Sequence, residues 1–241
     1  MTPMVFLDFD GVLFDTAREA FAVALLTHDV CQNVSDIVFD DKYYDTFFSL
    51  RYLVKSASDY SFLIPAILDD KEPMEIREMF YSENKSIITD GFEDKFFSVR
   101  SSLRSSNFEE WIGLNKEFPF FDKIRSTMSE YKDSFSILTT KDENTVKHLL
   151  KSAEFSVPVN VYGAEKLKKF KEKNEVILHI YKKHNIQSSI FVDDNMEHLR
   201  LCENIPNITL LQPIWGYIAP EDKGDKCDFI VNYIDSFLAG N

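Results

Sequence analysis

The apolar positions fall into two textures. Near the N-terminus, Met4, Val5, Phe6 and Leu7 form a short unbroken apolar run closed by Asp8 and Asp10. Such a run predicts a strand buried on both faces of a parallel sheet. A helix signal follows at once. Thr16 and Glu19 have capping-box spacing, and residues 17–26 carry apolar side chains at helical intervals. From 17 to 116 the pattern is helical and aromatic-rich, with helices predicted over 43–54, 60–68 and 73–82 and Pro73 suited to a first turn. Residues 98–111 read as polar turns and a new helix start.

After Pro119 the texture alternates. Helices are predicted over 121–133, 143–155, 174–186 and 196–204, and strands over 134–140, 157–163, 188–194 and 208–214. A short strand and helix close the chain over 228–238. Alternation of this kind predicts an α/β fold with a doubly wound parallel sheet. The first strand belongs to that sheet in this reading, so residues 1–16 and 117–241 form the core and 17–116 an inserted, mostly helical domain.

Composition narrows the class. The 241 residues are 44% hydrophobic and 28% charged, enough for a large α/β core with an insert. A net charge of −13 argues against a nucleic-acid partner; it says nothing against a small anionic substrate. Three widely spaced cysteines without a CxxC give no disulfide framework or zinc site. The N-terminus lacks the basic and apolar regions of a signal peptide, and no apolar run approaches the roughly 18 residues of a membrane span. A cytoplasmic protein without a membrane partner is the expectation.

The candidate chemistry gathers at strand ends. Three predicted strands finish in polar residues: Asp8 and Asp10, Thr139 and Thr140, Asp193 and Asp194. Ligands of open α/β sheets bind outside the carboxyl ends of the strands. One such ending alone is a helix cap more often than not; three, two of them paired acids, point to a site. Clustered carboxylates repel unless a cation joins them, and their hard oxygens suit Mg²⁺. A carboxylate can attack phosphorus, and a second one two residues along the strand can pass a proton to the leaving group and later activate water. A threonine hydroxyl can hold a phosphoryl oxygen, and a lysine can balance the charge that develops.

The stretches "DFDGVLFDT" (8–16), "SILTTK" (136–141), a lysine further on and "IFVDDN" (190–195), in that order, resemble the motifs of the haloacid dehalogenase superfamily. The resemblance covers residues 5–16 and about 118–200, and the layout is similar to the phosphatase and phosphomutase branch with a helical C1-type cap. It implies that Asp8 is the nucleophile that forms an aspartyl-phosphate and gives its other oxygen to Mg²⁺. It implies Asp10 as general acid and base, with its carbonyl on the metal. Gly11 would let the chain turn close to the phosphate, and Thr139 would hold the phosphoryl group with Thr140 beside it. Asp194 would be the main acidic metal ligand and Asp193 a direct or water-mediated partner. The lysine comes from "KLKKFKEKN" (166–174), which offers Lys166, Lys168, Lys169, Lys171 and Lys173. Alignment of the following helix places Lys171 in the role, with Lys173 and Lys169 as alternatives; the proline that usually follows is absent.

Asp10 favours phosphate esters over carbon–halogen bonds, because the superfamily's dehalogenases lack an Asp there. The function implied is a Mg²⁺-dependent phosphatase of a small phosphorylated metabolite, as a monomer or homodimer. A phosphomutase of the same branch and a non-catalytic binding protein on the same fold are the alternatives. A receiver domain, which uses similar residues, is shorter, has no such insert and carries its acidic pair before the phosphoacceptor strand. In the insert, Arg51 and Lys55 lie one helical turn apart as candidates for a substrate anion, a solvated pair being the plainer reading. Asp15 reads as a helix cap, the five histidines as surface or packing residues, and Trp215 as core packing.

Overall fold

The computed structural model describes residues 3–82 and 91–240. The chain divides into two units, one of residues 1–15 and 116–241, the other of 16–115; residues 83–90 of the predicted insert lie outside the described residues.

The first unit begins with β1 (Pro3–Leu7), continues to the two-residue strand β2 (Phe14–Asp15) and is then interrupted by the second unit. The second unit holds helices α1 (Ala17–Thr27), α2 (Lys42–Ser49), α3 (Tyr60–Leu68), α4 (Pro73–Tyr81), α5 (Phe92–Ser106) and α6 (Phe108–Gly113). The first unit resumes with β3 (Lys116–Glu117), α7 (Pro119–Glu130), β4 (Phe135–Leu138), α8 (Glu143–Ser152), β5 (Asn160–Tyr162) and α9 (Ala164–Phe170). It ends with α10 (Lys173–His184), β6 (Ser188–Val192), α11 (Met196–Cys202), β7 (Ile208–Leu211) and α12 (Cys227–Ala239).

The sheet is a parallel five-stranded one, ordered β5-β4-β1-β6-β7. β1 pairs with β4 on one side (Leu7 beside Ile137) and with β6 on the other (Leu7 beside Val192). The chain therefore builds outward from β1 through β4 to β5, then returns to the opposite side for β6 and β7. That reversal puts the topological switch point at β1. The apolar runs read from the sequence are buried as expected of an inner strand: Val5, Phe6 and Leu7 have no exposed surface. Phe6, Phe191, Val176, Ile177 and Ile180 form part of one core cluster between the sheet and α10. The two short strands β2 and β3 pair antiparallel, Phe14 with Glu117 and Asp15 with Lys116, where the chain leaves and re-enters this unit.

Several local expectations differ from the structure for identifiable reasons. The capping box at Thr16 and Glu19 does not form: Thr16 makes no side-chain cap bond, and Glu19 is fully buried. Its carboxylate instead takes the Arg100 guanidinium at 2.6 and 3.0 Å and the Trp111 indole N–H at 3.3 Å, an ion pair inside the second unit. The polar stretch 98–106 is not a turn but the second half of α5, a helix that buries Phe96 and Arg100, one helical turn apart. The new helix start does occur at Asn107, whose side chain accepts from the Glu110 N–H. The helix expected over 43–54 stops at Ser49, whose hydroxyl bonds the Thr46 carbonyl, and a short 3-10 turn over Arg51–Leu53 follows. β5 is shorter than predicted, because Pro158 has no N–H for the ladder. The strand expected near residue 228 is absorbed into α12, which buries Ile230, Ile234 and Leu238 at four-residue intervals.

Candidate active site

Three strands of the sheet's centre deliver the candidate residues to one end. β1 ends at Leu7, and the Asp8 N–H extends its ladder to the Val192 carbonyl at 2.9 Å. Asp8 is buried, and its Oδ1 accepts the N–H of Phe9 at 2.7 Å. The chain then makes a tight loop, with Leu13 and Phe14 N–H groups on the Phe9 carbonyl and the Phe9 and Phe14 rings stacked at 4.8 Å. Gly11 sits in this loop at φ +80°, a conformation that costs a residue with Cβ. Space dictates glycine as well: a Cβ at Gly11 would overlap the Asp194 carboxylate.

Asp193 and Asp194 follow β6. Asp193 is fully buried, and its oxygens accept the Asn195 N–H at 2.9 Å and the Lys173 ammonium at 2.7 Å. His198 Nδ1 lies 3.1 Å from Asp193 Oδ2, so against a carboxylate this ring nitrogen is the donor. Asp194 Oδ2 accepts the Tyr217 N–H at 2.7 Å. Thr139 follows β4, is buried, and its Oγ1 accepts the Lys141 N–H at 3.1 Å; Thr140 beside it is half-buried.

Lys173 is the first residue of α10 and is buried. Its ammonium lies 2.9 Å from Asp8 Oδ2 and 2.7 Å from Asp193 Oδ2. Lys171, which the sequence alignment favoured, does not reach the carboxylates' ion pairs. It is exposed and forms the centre of a tight turn at φ +66° and ψ −50°, with the Glu172 N–H on the Phe170 carbonyl at 2.8 Å. That turn moves the helix start, so the lysine two residues on points at the acids.

The electrostatics separate the two carboxylates that share Lys173. Burial pushes Asp8 up to about 6 despite the lysine, with the Asp193 charge adding to the rise. Burial acts the same way on Asp193, but Lys173 and His198 outweigh it and hold that carboxyl down to about 2. Burial alone would lower the Lys173 ammonium; Asp193 and Asp8 more than offset this and raise it. Asp193 has the extra donor, so it stays ionised and Asp8 is the acid of the pair that first takes a proton.

Two residues of this cluster were not read from the sequence. Lys141 is buried, and its ammonium lies 3.2 Å from Asp10 Oδ1. The signal was the third residue of "TTK". His198, taken with the other histidines as a surface or packing residue, is instead bonded to Asp193; only the fold reveals that the first turn of α11 turns its ring inward. Asp8, Asp193 and His198 come within 4.8 Å of one another. The Lys173 ammonium and the His198 N–H already meet the charge of Asp193, so these three form an ion-pair network. Asp194 is seated against the Gly11 backbone.

Arg51 is in the second unit and is buried, not solvated, with its guanidinium 5.7 Å from the Tyr60 ring centre; Lys55 is exposed and lies past the end of the 3-10 turn. Asp15 is not the cap of α1; it accepts the Tyr217 hydroxyl at 2.7 Å. Trp215 is half-buried, its ring tilted at 34° against Phe120 with the centres 5.0 Å apart.

This sheet, its strand order and the interrupting helical unit are the fold of the haloacid dehalogenase-like hydrolases. A haloacid dehalogenase-like hydrolase from Streptococcus pneumoniae matches at a TM-score of 0.57 and 17% identity, over 97% of this chain and 98% of that one. A predicted phosphatase from Clostridium acetobutylicum matches at 0.58 and 15%, over 98% and 99%. A predicted phosphoglycolate phosphatase from Haemophilus somnus matches at 0.62 and 12%, over 96% and 97%. No protein-family model and no curated protein matches the chain. Among the described residues, no helix is long and apolar enough to cross a membrane.

Proposed function

We propose that this chain is a phosphatase that hydrolyses a small phosphate monoester through an aspartyl-phosphate on Asp8. One observation carries the reading: at the switch point of the sheet, a buried lysine, Lys173, joins the acid that ends β1 to the acid that ends β6. In this reading Asp8 attacks phosphorus, and Lys173 takes the role expected of Lys171. It draws Asp8 toward its ionised form and offsets negative charge on the phosphoryl oxygens in the transition state. Thr139 Oγ1 already accepts the Lys141 N–H, so its own proton is the one available to a phosphoryl oxygen. Asp10 gives its proton to the departing alcohol oxygen and then takes one from the water that opens the aspartyl-phosphate. Asp193 acts through Lys173, holding the ammonium in place.

The oxygen donors fit a divalent cation, Mg²⁺ by hardness and by the close seat that Gly11 leaves for Asp194. Asp8, the Asp10 carbonyl and Asp194 would hold it, and its charge would neutralise the phosphate dianion as the ester approaches Asp8. Two of the similar structures are predicted phosphatases, one of them of phosphoglycolate, which supports the reading and suggests phosphoglycolate for the first panel. The test is phosphate release from a panel of small monoesters with Mg²⁺ or EDTA, using wild type and Asp8→Asn. Mg²⁺-dependent release that Asp8→Asn abolishes supports the proposal. Release by Asp8→Asn equal to wild type removes the nucleophile, and release from no ester removes the reaction.

A further inference from the structure

The loop after β7 has no part in the reaction as described, yet four of its residues, Gln212, Trp215, Gly216 and Tyr217, touch the site. Gln212 Nε2 donates to the Asp194 carbonyl at 2.9 Å and to Asp222 at 3.0 Å. Trp215 Nε1 donates to the Val12 carbonyl at 3.2 Å. Gly216 passes so close that a Cβ there would overlap Asp194 and come within 2.6 Å of the Gly11 carbonyl. Tyr217 is buried and bonds at both ends, its N–H to Asp194 Oδ2 and its hydroxyl to Asp15 Oδ1, each at 2.7 Å.

Asp194 hangs on the end of β6, and Asp15 lies in β2, which closes the loop carrying Asp10 and Gly11. One residue therefore ties the acid from β6 to the loop from β1. A carboxylate whose oxygen is fixed by a donor has its remaining lone pairs aimed, and partners of this kind change metal affinity 10–100-fold when lost. We infer that Tyr217 is a positioning residue for the cation: its main chain orients Asp194, and its hydroxyl bond to Asp15 keeps that main chain in place. The inference rests on the Mg²⁺ reading of Asp8, Asp10 and Asp194 given above. No local rule marks Tyr217 in the sequence, because the pairing spans 202 positions.

The experiment is calorimetric titration of Mg²⁺ alone into metal-free protein, with urea unfolding of each variant as a check on the fold. Tyr217→Phe and Asp15→Ala remove the same bond from its two ends. Each is expected to weaken Mg²⁺ binding about tenfold. Asp15→Asn keeps an acceptor oxygen and is expected to bind within about twofold of wild type. Asp194→Asn separates the two levels of the argument. If it loses Mg²⁺ while Tyr217→Phe and Asp15→Ala bind as wild type does, the positioning role is overturned and the cation site stands. If Asp194→Asn binds Mg²⁺ as wild type does, the cation site itself is overturned and the inference falls with it.

Discussion

The Lys173 ammonium lies between Asp8 and Asp193, 2.9 Å from one carboxylate and 2.7 Å from the other, although 165 positions separate Lys173 from Asp8 and 20 from Asp193. A buried cation with two buried anions is a high-stakes arrangement, since removing one member leaves an uncompensated charge. The two acids are not equivalent: Asp193 is held down to about 2 and Asp8 is pushed up to about 6. Environments that push paired carboxyls apart are how one site assigns different tasks to the same chemical group.

Lys173→Met is expected to lower phosphate release by about 100-fold or more, the scale of losing one charge-stabilising donor. Lys171→Met is expected to stay within about twofold. Side-by-side turnover of the two variants on the best ester checks the assignment; the reverse ranking would restore the lysine that sequence alignment favours.

Lys171 makes a second prediction through its backbone. A non-glycine residue at φ +66° and ψ −50°, with an i to i+2 hydrogen bond, sits in a rare and strained turn. Lys171→Gly relieves the strain, partly offset by the greater chain entropy of glycine. A net gain of about 1 kcal/mol is expected, a rise in Tm of about 2–4 °C for a chain of this size. Thermal unfolding in EDTA reads it directly.

Asp8 has a pH signature in the metal-free protein. Its folded value, about 6, lies above the ordinary 3.8, so its stabilising contribution is full below about pH 4 and lost as pH rises through 6. Asp8→Asn carries no charge to lose. The variant is expected to gain on wild type between pH 4 and 6, reaching on the order of 3 kcal/mol above pH 7. Urea unfolding in EDTA at pH 4.5 and 7 checks the trend, and a wild type that gains on the variant as pH rises would contradict it.

The second unit has its own buried charge pair. Glu19→Gln leaves the Arg100 guanidinium, one-twentieth exposed, without its carboxylate, and a loss of about 3 kcal/mol is expected. Glu19→Leu combined with Arg100→Leu is expected to recover much of that loss, because neither charge is then buried alone. Unfolding free energies of the three proteins test this pair.

What the sequence revealed and what it concealed follow from the range of the interactions. β1, β4 and β6 were legible because an inner strand needs a continuous apolar run, and each ends in a polar residue that no core packing requires. Asp8, Asp10, Thr139 and Asp194 were chosen as candidates from those endings. Glu19 was misread because its capping spacing is a local signal, while its partner Arg100 is 81 positions away. Lys171 was preferred to Lys173 in a lysine-rich run because nothing local marks the tight turn at 171, which fixes where α10 begins. Lys141 and Tyr217 needed the tertiary fold, since each reaches its acid only when two strand ends, or a strand end and a returning loop, are brought together; His198 lies five positions from Asp193, and its bond depended on where α11 begins.

The central claim is a covalent phosphoryl group on Asp8, and acid quench of the enzyme turning over a ³²P-labelled ester tests it most directly. The account predicts acid-stable, hydroxylamine-labile label on the peptide that contains Asp8, and none in Asp8→Asn. Sustained turnover with no label on that peptide would contradict it.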